Sequence, residues 1–145
     1  MNSRTQRGRA QGFSLLEIIV VITIIGLIIG WAATAVFGKQ DQALGRIAKS
    51  KITALGGALD LYKLDTGKYP TTSDGLKALL TAPSGATGWN GPYVKNADEL
   101  KDPWHNDLTY RSPGTDNRPY EIVSLGADGR EGGEGPANKD IKSWE

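Results

Sequence analysis

One stretch limits this chain more than any other: the apolar run from Phe13 to Phe37, FSLLEIIVVITIIGLIIGWAATAVF, carries a single charge, Glu17. About 20 apolar residues suffice to cross a bilayer as a helix, and such a run does not suit the surface of a soluble domain. Arg4, Arg7 and Arg9 precede it with no acid among them. Positive charge ahead of a span keeps that end in the cytoplasm and sends everything after Lys39 to the far side. A cleaved secretory signal is the other reading, with Ala32, Ala33 or Ala35 as the small-residue site. The run is too long for that reading, since the apolar core of a signal peptide is about 7 to 15 residues.

Composition narrows the classes further. With 17 Lys+Arg against 16 Asp+Glu, the net charge of +1 argues against a nucleic-acid binder working through a strong positive field. No cysteine is present, which excludes disulfides, cysteine-ligated metal sites and a cysteine nucleophile. The 145 residues allow one modest domain beyond the span.

Glu17 is costly inside an apolar helix, on the order of 2.5 kcal/mol or more for a central acid, and the span holds no base to pair with it. Either it snorkels to the interface, or a cut between Gly12 and Phe13 creates an ammonium group four residues away that neutralises it. Gly12, Phe13 and Glu17 in GFSLLEIIVVITIIG resemble the processing motif of type IV prepilins and of type II secretion pseudopilins. That resemblance implies cleavage after Gly12 by a prepilin peptidase, N-methylation of Phe13, and a role for Glu17 in docking subunits into a helical filament. Gly26 and Gly30 have the spacing that lets membrane helices approach closely, but glycine is common in such helices and no separate function follows.

Beyond the span, Leu44, Ala48, Ile52, Leu55, Leu59 and Tyr62 recur at helical spacing, which predicts one helix from about Phe13 to Leu64, roughly 75 to 80 Å long at 1.5 Å per residue. Asp65, Thr66 and Gly67 end it. Thr72 or Ser73 is expected to cap a short second helix with Leu76, Leu79 and Leu80 on one face, closed by Pro83. Two strands, Leu108 to Arg111 and Tyr120 to Ser124, joined by SPGTDNRP, read as an antiparallel hairpin. The expected class is α+β: a long N-terminal helix, its first half transmembrane, packed on a small antiparallel sheet. The corresponding division is leader 1–12, span 13–37 and soluble domain 38–145.

The blocks KLDTGKYPTTSDGLKALL, WNGPYVK, DPWHNDLTY and SLGADGREGGEGPANKDI resemble successive segments of the major pseudopilins of type II secretion, within the type IV pilin-like fold. The resemblance implies an inner-membrane, single-pass subunit with a periplasmic domain. It also implies polymerisation into a homopolymeric pseudopilus, with minor pseudopilins and the inner-membrane assembly platform as partners and no nucleic acid. The alternative is a type IV pilin subunit of a surface fibre. His105 and Asp107 depart from the pattern, standing where glycine and proline are expected.

The segment Leu125 to Asp140 interleaves acids with glycines. Read from the residues, it is either a solvated loop or a site for Ca²⁺, which takes 6 to 8 hard oxygen ligands; the spacing is not that of an EF-hand. The resemblance implies calcium, held where pilins commonly have a disulfide. The side-chain ligands expected are Asp128 and Asp140, with the carbonyls of Leu125 and Arg130 and with Glu134 as a further candidate. His105, the single histidine, with Asp102, Asn106 and Asp107 nearby, is the only catalytic-looking cluster; a histidine in a proline-bounded turn is more often a surface residue, and no enzyme is expected.

Overall fold

The computed structural model describes residues 12–145. Of the leader, 1–12, residues 1–11 lie outside the described residues, and with them the leader's expected place in the cytoplasm. A single helix, α1 (Leu15–Thr66), carries both the apolar run and the amphipathic stripe, and the chain divides into two compact units at Phe37 and Gly38. In the first unit the large apolar side chains that are described lie open, with Leu15 80% exposed and Leu27 70% exposed.

The second unit is built on the stripe that the periodicity marks. Ala48, Ile52, Leu55, Leu59 and Tyr62 are buried, and Ala58 joins them; Leu44 is half-buried. Against Ile52, Leu55, Ala58, Leu59 and Tyr62 pack Leu76, Ala78, Leu79, Val94, Leu108, Tyr110 and Ile122. The helix ends where Gly67 donates its N–H to the Lys63 carbonyl at 2.7 Å.

The expected second helix is a four-residue 3₁₀ turn, Leu76–Leu79, and neither Thr72 nor Ser73 caps it. Gly75 takes the cap position, while the Thr72 hydroxyl donates to the Ser112 carbonyl and accepts from the Ser112 N–H, both at 3.0 Å. Thr71 and Asp74 close their own turn, with the Thr71 N–H donating to the Asp74 carboxylate at 3.0 Å. A long-range partner therefore outcompetes the local cap. A second 3₁₀ turn, Ala97–Leu100, is capped by Asn96, whose side chain accepts from the N–H groups of Asp98 and Glu99.

The hairpin expected across SPGTDNRP forms, with each strand one residue shorter than expected. Strands β1 (Thr109–Arg111) and β2 (Glu121–Ser124) pair antiparallel with Tyr110 opposite Ile122, and both of those side chains are buried. A third strand, β3 (Ile141–Lys142), pairs with β2 through Val123↔Lys142 and Ser124↔Ile141. Only two residues long, β3 has no readable alternation.

Glu121 organises the hairpin turn although it is a nearly buried acid. It accepts from the Thr115 hydroxyl, from the Thr115 N–H at 2.8 Å and from Arg118 Nη1 at 2.9 Å. Arg118 also stacks on the Trp144 ring, 4.5 Å from its centroid. The hydrogen bonds from Thr115, followed by that from Arg118, hold the Glu121 carboxyl below its ordinary value. Such a group contributes stability that is complete above the unfolded-state pKa and is lost as pH falls through the lowered folded value. Acid unfolding should therefore carry a Glu121 contribution below about pH 4. In urea melts across pH, Glu121→Gln should be less stable than the wild type at neutral pH, and the gap should narrow on acidification.

Candidate functional site

Two regions hold the residues that the sequence singles out. At the N-terminal end, Phe13 is 78% exposed, and Glu17 lies exposed in the first turn of α1, where a negative charge complements the helix dipole. Gly12 precedes the helix, and a side chain there would meet nothing within 4 Å.

The other region is the 125–140 loop, and the sheet explains how residues far apart in sequence come together. Extending the β2–β3 register one step past Ser124↔Ile141 sets Leu125 opposite Asp140. Between them the chain folds back on itself: the Ala127 N–H donates to the Ala137 carbonyl at 2.9 Å, and helix α2 (Gly135–Asn138) fills the return. Gly126 has φ +69, and a Cβ there would lie 2.8 Å from the Ala137 and Asn138 carbonyl oxygens. Gly133 is tighter still, since a Cβ would come within 2.0 Å of the Asn138 oxygen. Only glycine permits this approach of the two arms.

Asp140 is half-buried. Its Oδ2 accepts from the Gly132 N–H at 3.0 Å, whereas its Oδ1 is buried with no hydrogen-bond partner. A buried carboxylate oxygen left bare is costly unless something positive meets it, and a hard cation is such a partner. Asp128 is exposed, and its Oδ1 accepts from the Arg130 N–H at 3.1 Å. Glu134 is exposed at the N-terminus of α2 and makes no capping bond. Among the described residues, no three acids or histidines converge as a metal cluster. A cation site here would need backbone carbonyls beside its carboxylates, a donor set that hard cations accept.

Beneath this loop lies the proline-bounded turn of His105, in which the sequence reading missed the part played by Asp102. Asp102 is 2% exposed and takes three donors: the Ser124 hydroxyl at 2.7 Å on Oδ2, and the N–H groups of Trp104 at 3.0 Å and Asn106 at 2.9 Å on Oδ1. The Asn106 amide donates to the Gly126 carbonyl at 2.8 Å. An aspartate ahead of a proline, followed by asparagine four residues later, is the sequence signal for such a turn. His105 is exposed with φ +68, the backbone region where glycine rests without strain. The turn closes all the same, with the Asp102 N–H donating to the Asn106 carbonyl at 2.9 Å. The Asp102 side chain bonds backbone amides and a serine, with no contact to His105 that would make a catalytic pair.

An apolar-headed helix whose stripe underlies a three-stranded antiparallel sheet, closed by a glycine-rich loop, defines a membrane-anchored subunit of the pilin-like class. The family described as Type II secretion system (T2SS), protein G matches residues 35–144, and the Prokaryotic N-terminal methylation motif matches residues 7–33. The chain belongs to the type II secretion system protein G family, and its role is that of a type II secretion pseudopilin rather than of a plain type IV pilin.

Its relatives include the type II secretion system core protein G of Xanthomonas campestris, 44% identical over 131 residues and covering 90% of this chain and 87% of that protein. The Pseudomonas aeruginosa core protein G is 42% identical over 144 residues, 97% of this chain and 99% of that one. Among solved structures, the major pseudopilin of the type 2 secretion system of enterohaemorrhagic Escherichia coli superimposes with a TM-score of 0.60 at 33% identity, covering 74% of this chain and 92% of that chain.

The strain at His105 has a measurable consequence. A non-glycine residue in the left-handed region costs roughly 1 to 2 kcal/mol, partly offset by the greater freedom of glycine in the unfolded chain. His105→Gly should therefore stabilise the protein by about 0.5 to 1 kcal/mol in urea denaturation.

Proposed function

We propose that this chain is the major pseudopilin of its secretion system, made as a precursor. It is cut between Gly12 and Phe13 by a prepilin peptidase, N-methylated at Phe13, and held in the inner membrane by a single span with residues 38–145 in the periplasm. From there it polymerises with copies of itself into a pseudopilus, beside minor pseudopilins and on an inner-membrane assembly platform, and the filament drives folded proteins across the outer membrane. The subunit acts by assembly and performs no catalysis of its own.

The observation that carries this reading is the union, in one chain, of the methylation motif with the protein G domain directly behind it. The open apolar surface of the first unit supports it, because such a surface needs lipid or neighbouring helices to cover it. Once Phe13 bears the free amino terminus, the Glu17 carboxylate supplies its counter-charge, within a chain or between neighbours. Glu17→Gln should be inserted and processed normally yet give at least a tenfold lower filament yield, scored by shearing and electron microscopy; wild-type yield would count against the assembly role.

Calcium belongs to the same reading. Asp128 and Asp140, with the carbonyls of Leu125 and Arg130, would hold it, and Glu134 is the remaining candidate. The bare buried Oδ1 of Asp140 supports the assignment. When bound, the ion would supply the positive charge that the loop carboxylates lack. A ligand bound only by the folded state stabilises by about 2.7 kcal/mol at a hundred times its Kd. The melting temperature of the detergent-solubilised chain should fall by several degrees in EGTA and recover on adding Ca²⁺.

A further inference from the structure

We propose that Asp102, Asn106 and Ser124, none of them a ligand, are positioning residues that set the cation loop in its binding shape. The inference rests on the calcium reading above and adds the element that prepares the loop.

The argument starts from the peptide units on either side of Gly126. A trans peptide is planar, with its C=O and N–H pointing in opposite directions. In the unit joining Leu125 to Gly126, the Gly126 N–H donates to Ser124 Oγ at 3.4 Å. Fixing that N–H turns the Leu125 carbonyl, an expected ligand, to the opposite side. Ser124 is itself fixed, being fully buried and donating its own proton to Asp102 at 2.7 Å.

In the next unit, the Gly126 carbonyl accepts from Asn106 Nδ2 at 2.8 Å, while the Ala127 N–H donates to the Ala137 carbonyl at 2.9 Å. Asn106 thereby takes the Gly126 oxygen out of the ligand pool. It also anchors the plane that fixes the first arm to the arm leading to Asp140. Gly129 lies over the same side chain, so that a Cβ there would sit 3.6 Å from Asn106 Oδ1.

Asp102 holds this arrangement from below. Its carboxylate is buried and acceptor-only, and it is satisfied by one hydroxyl and two backbone N–H groups. The turn that presents Asn106 and the serine that orients Gly126 therefore share one buried anchor. Residues that orient ligands from behind typically change metal affinity 10- to 100-fold when removed.

The test is calcium titration of the full-length chain in detergent by calorimetry, with melting temperatures recorded in EGTA. Asn106→Ala and Ser124→Ala should each raise the calcium Kd at least tenfold. Tyr110→Phe, which removes a buried hydrogen bond to the Pro70 carbonyl that involves no residue of the loop or of the Asp102 turn, should lower the melting temperature and leave Kd unchanged. Asn106→Ala and Ser124→Ala with wild-type Kd, and lower melting temperatures alone, would overturn the positioning role while leaving the calcium reading intact. A wild-type chain that takes up no calcium would overturn both.

Discussion

The stripe Ala48, Ile52, Leu55, Leu59 and Tyr62 is the surface on which the rest of the second unit condenses. The sheet has strands of three, four and two residues, and a hairpin of that size is marginal by itself in water. Tyr110 and Ile122 become core only because a helix face is there to receive them, and the same holds for Leu76, Leu79 and Val94. Burying a large apolar side chain is worth about 1.5 to 3 kcal/mol, so the helix supplies what short strands and 3₁₀ turns lack.

On that base the chain spends its polar groups on tying loops together. Trp89 donates from its indole to the Ala78 carbonyl at 2.9 Å, Tyr93 reaches Asp65 at 2.7 Å, and Tyr110 reaches the Pro70 carbonyl at 2.9 Å. Each places an apolar ring against the core and gives its donor a backbone or carboxylate partner. Asp102 and Glu121 extend the principle to carboxylates, each gathering the donors of one turn. The loop at 125–140 is the exception, because one carboxylate oxygen of Asp140 ends buried and bare. Among the described residues this is the one buried side-chain oxygen or nitrogen without a hydrogen bond, which supports the proposed cation.

The features legible in the sequence were those with a period or a local signature. The apolar run, the helical stripe, the hairpin and the processing motif each depend on residues within one element, where spacing carries the information. The Asn96 cap, followed by Asp98 and Glu99, was a readable signal for the turn at Ala97–Leu100 that periodicity passed over. The cap assigned to Thr72 or Ser73 failed because Thr72 has a better partner forty residues away in Ser112. Strand β3 was hidden because two residues carry no alternation.

The sequence by itself determined the long apolar helix and the face that this helix buries, because composition and periodicity fix what must leave water, while its motifs carried the resemblance to the family and its glycine-rich loop the set of acids. Tertiary structure decided which of those acids is drawn half into the fold, what stands behind the loop and how its arms meet. Asp102, Asn106, Ser124 and Gly126 come from two separate stretches of chain, and each looks ordinary on its own. Only the fold, by pressing the Asp102 turn under the end of β2, gives Gly126 a bonded partner for both its N–H and its carbonyl.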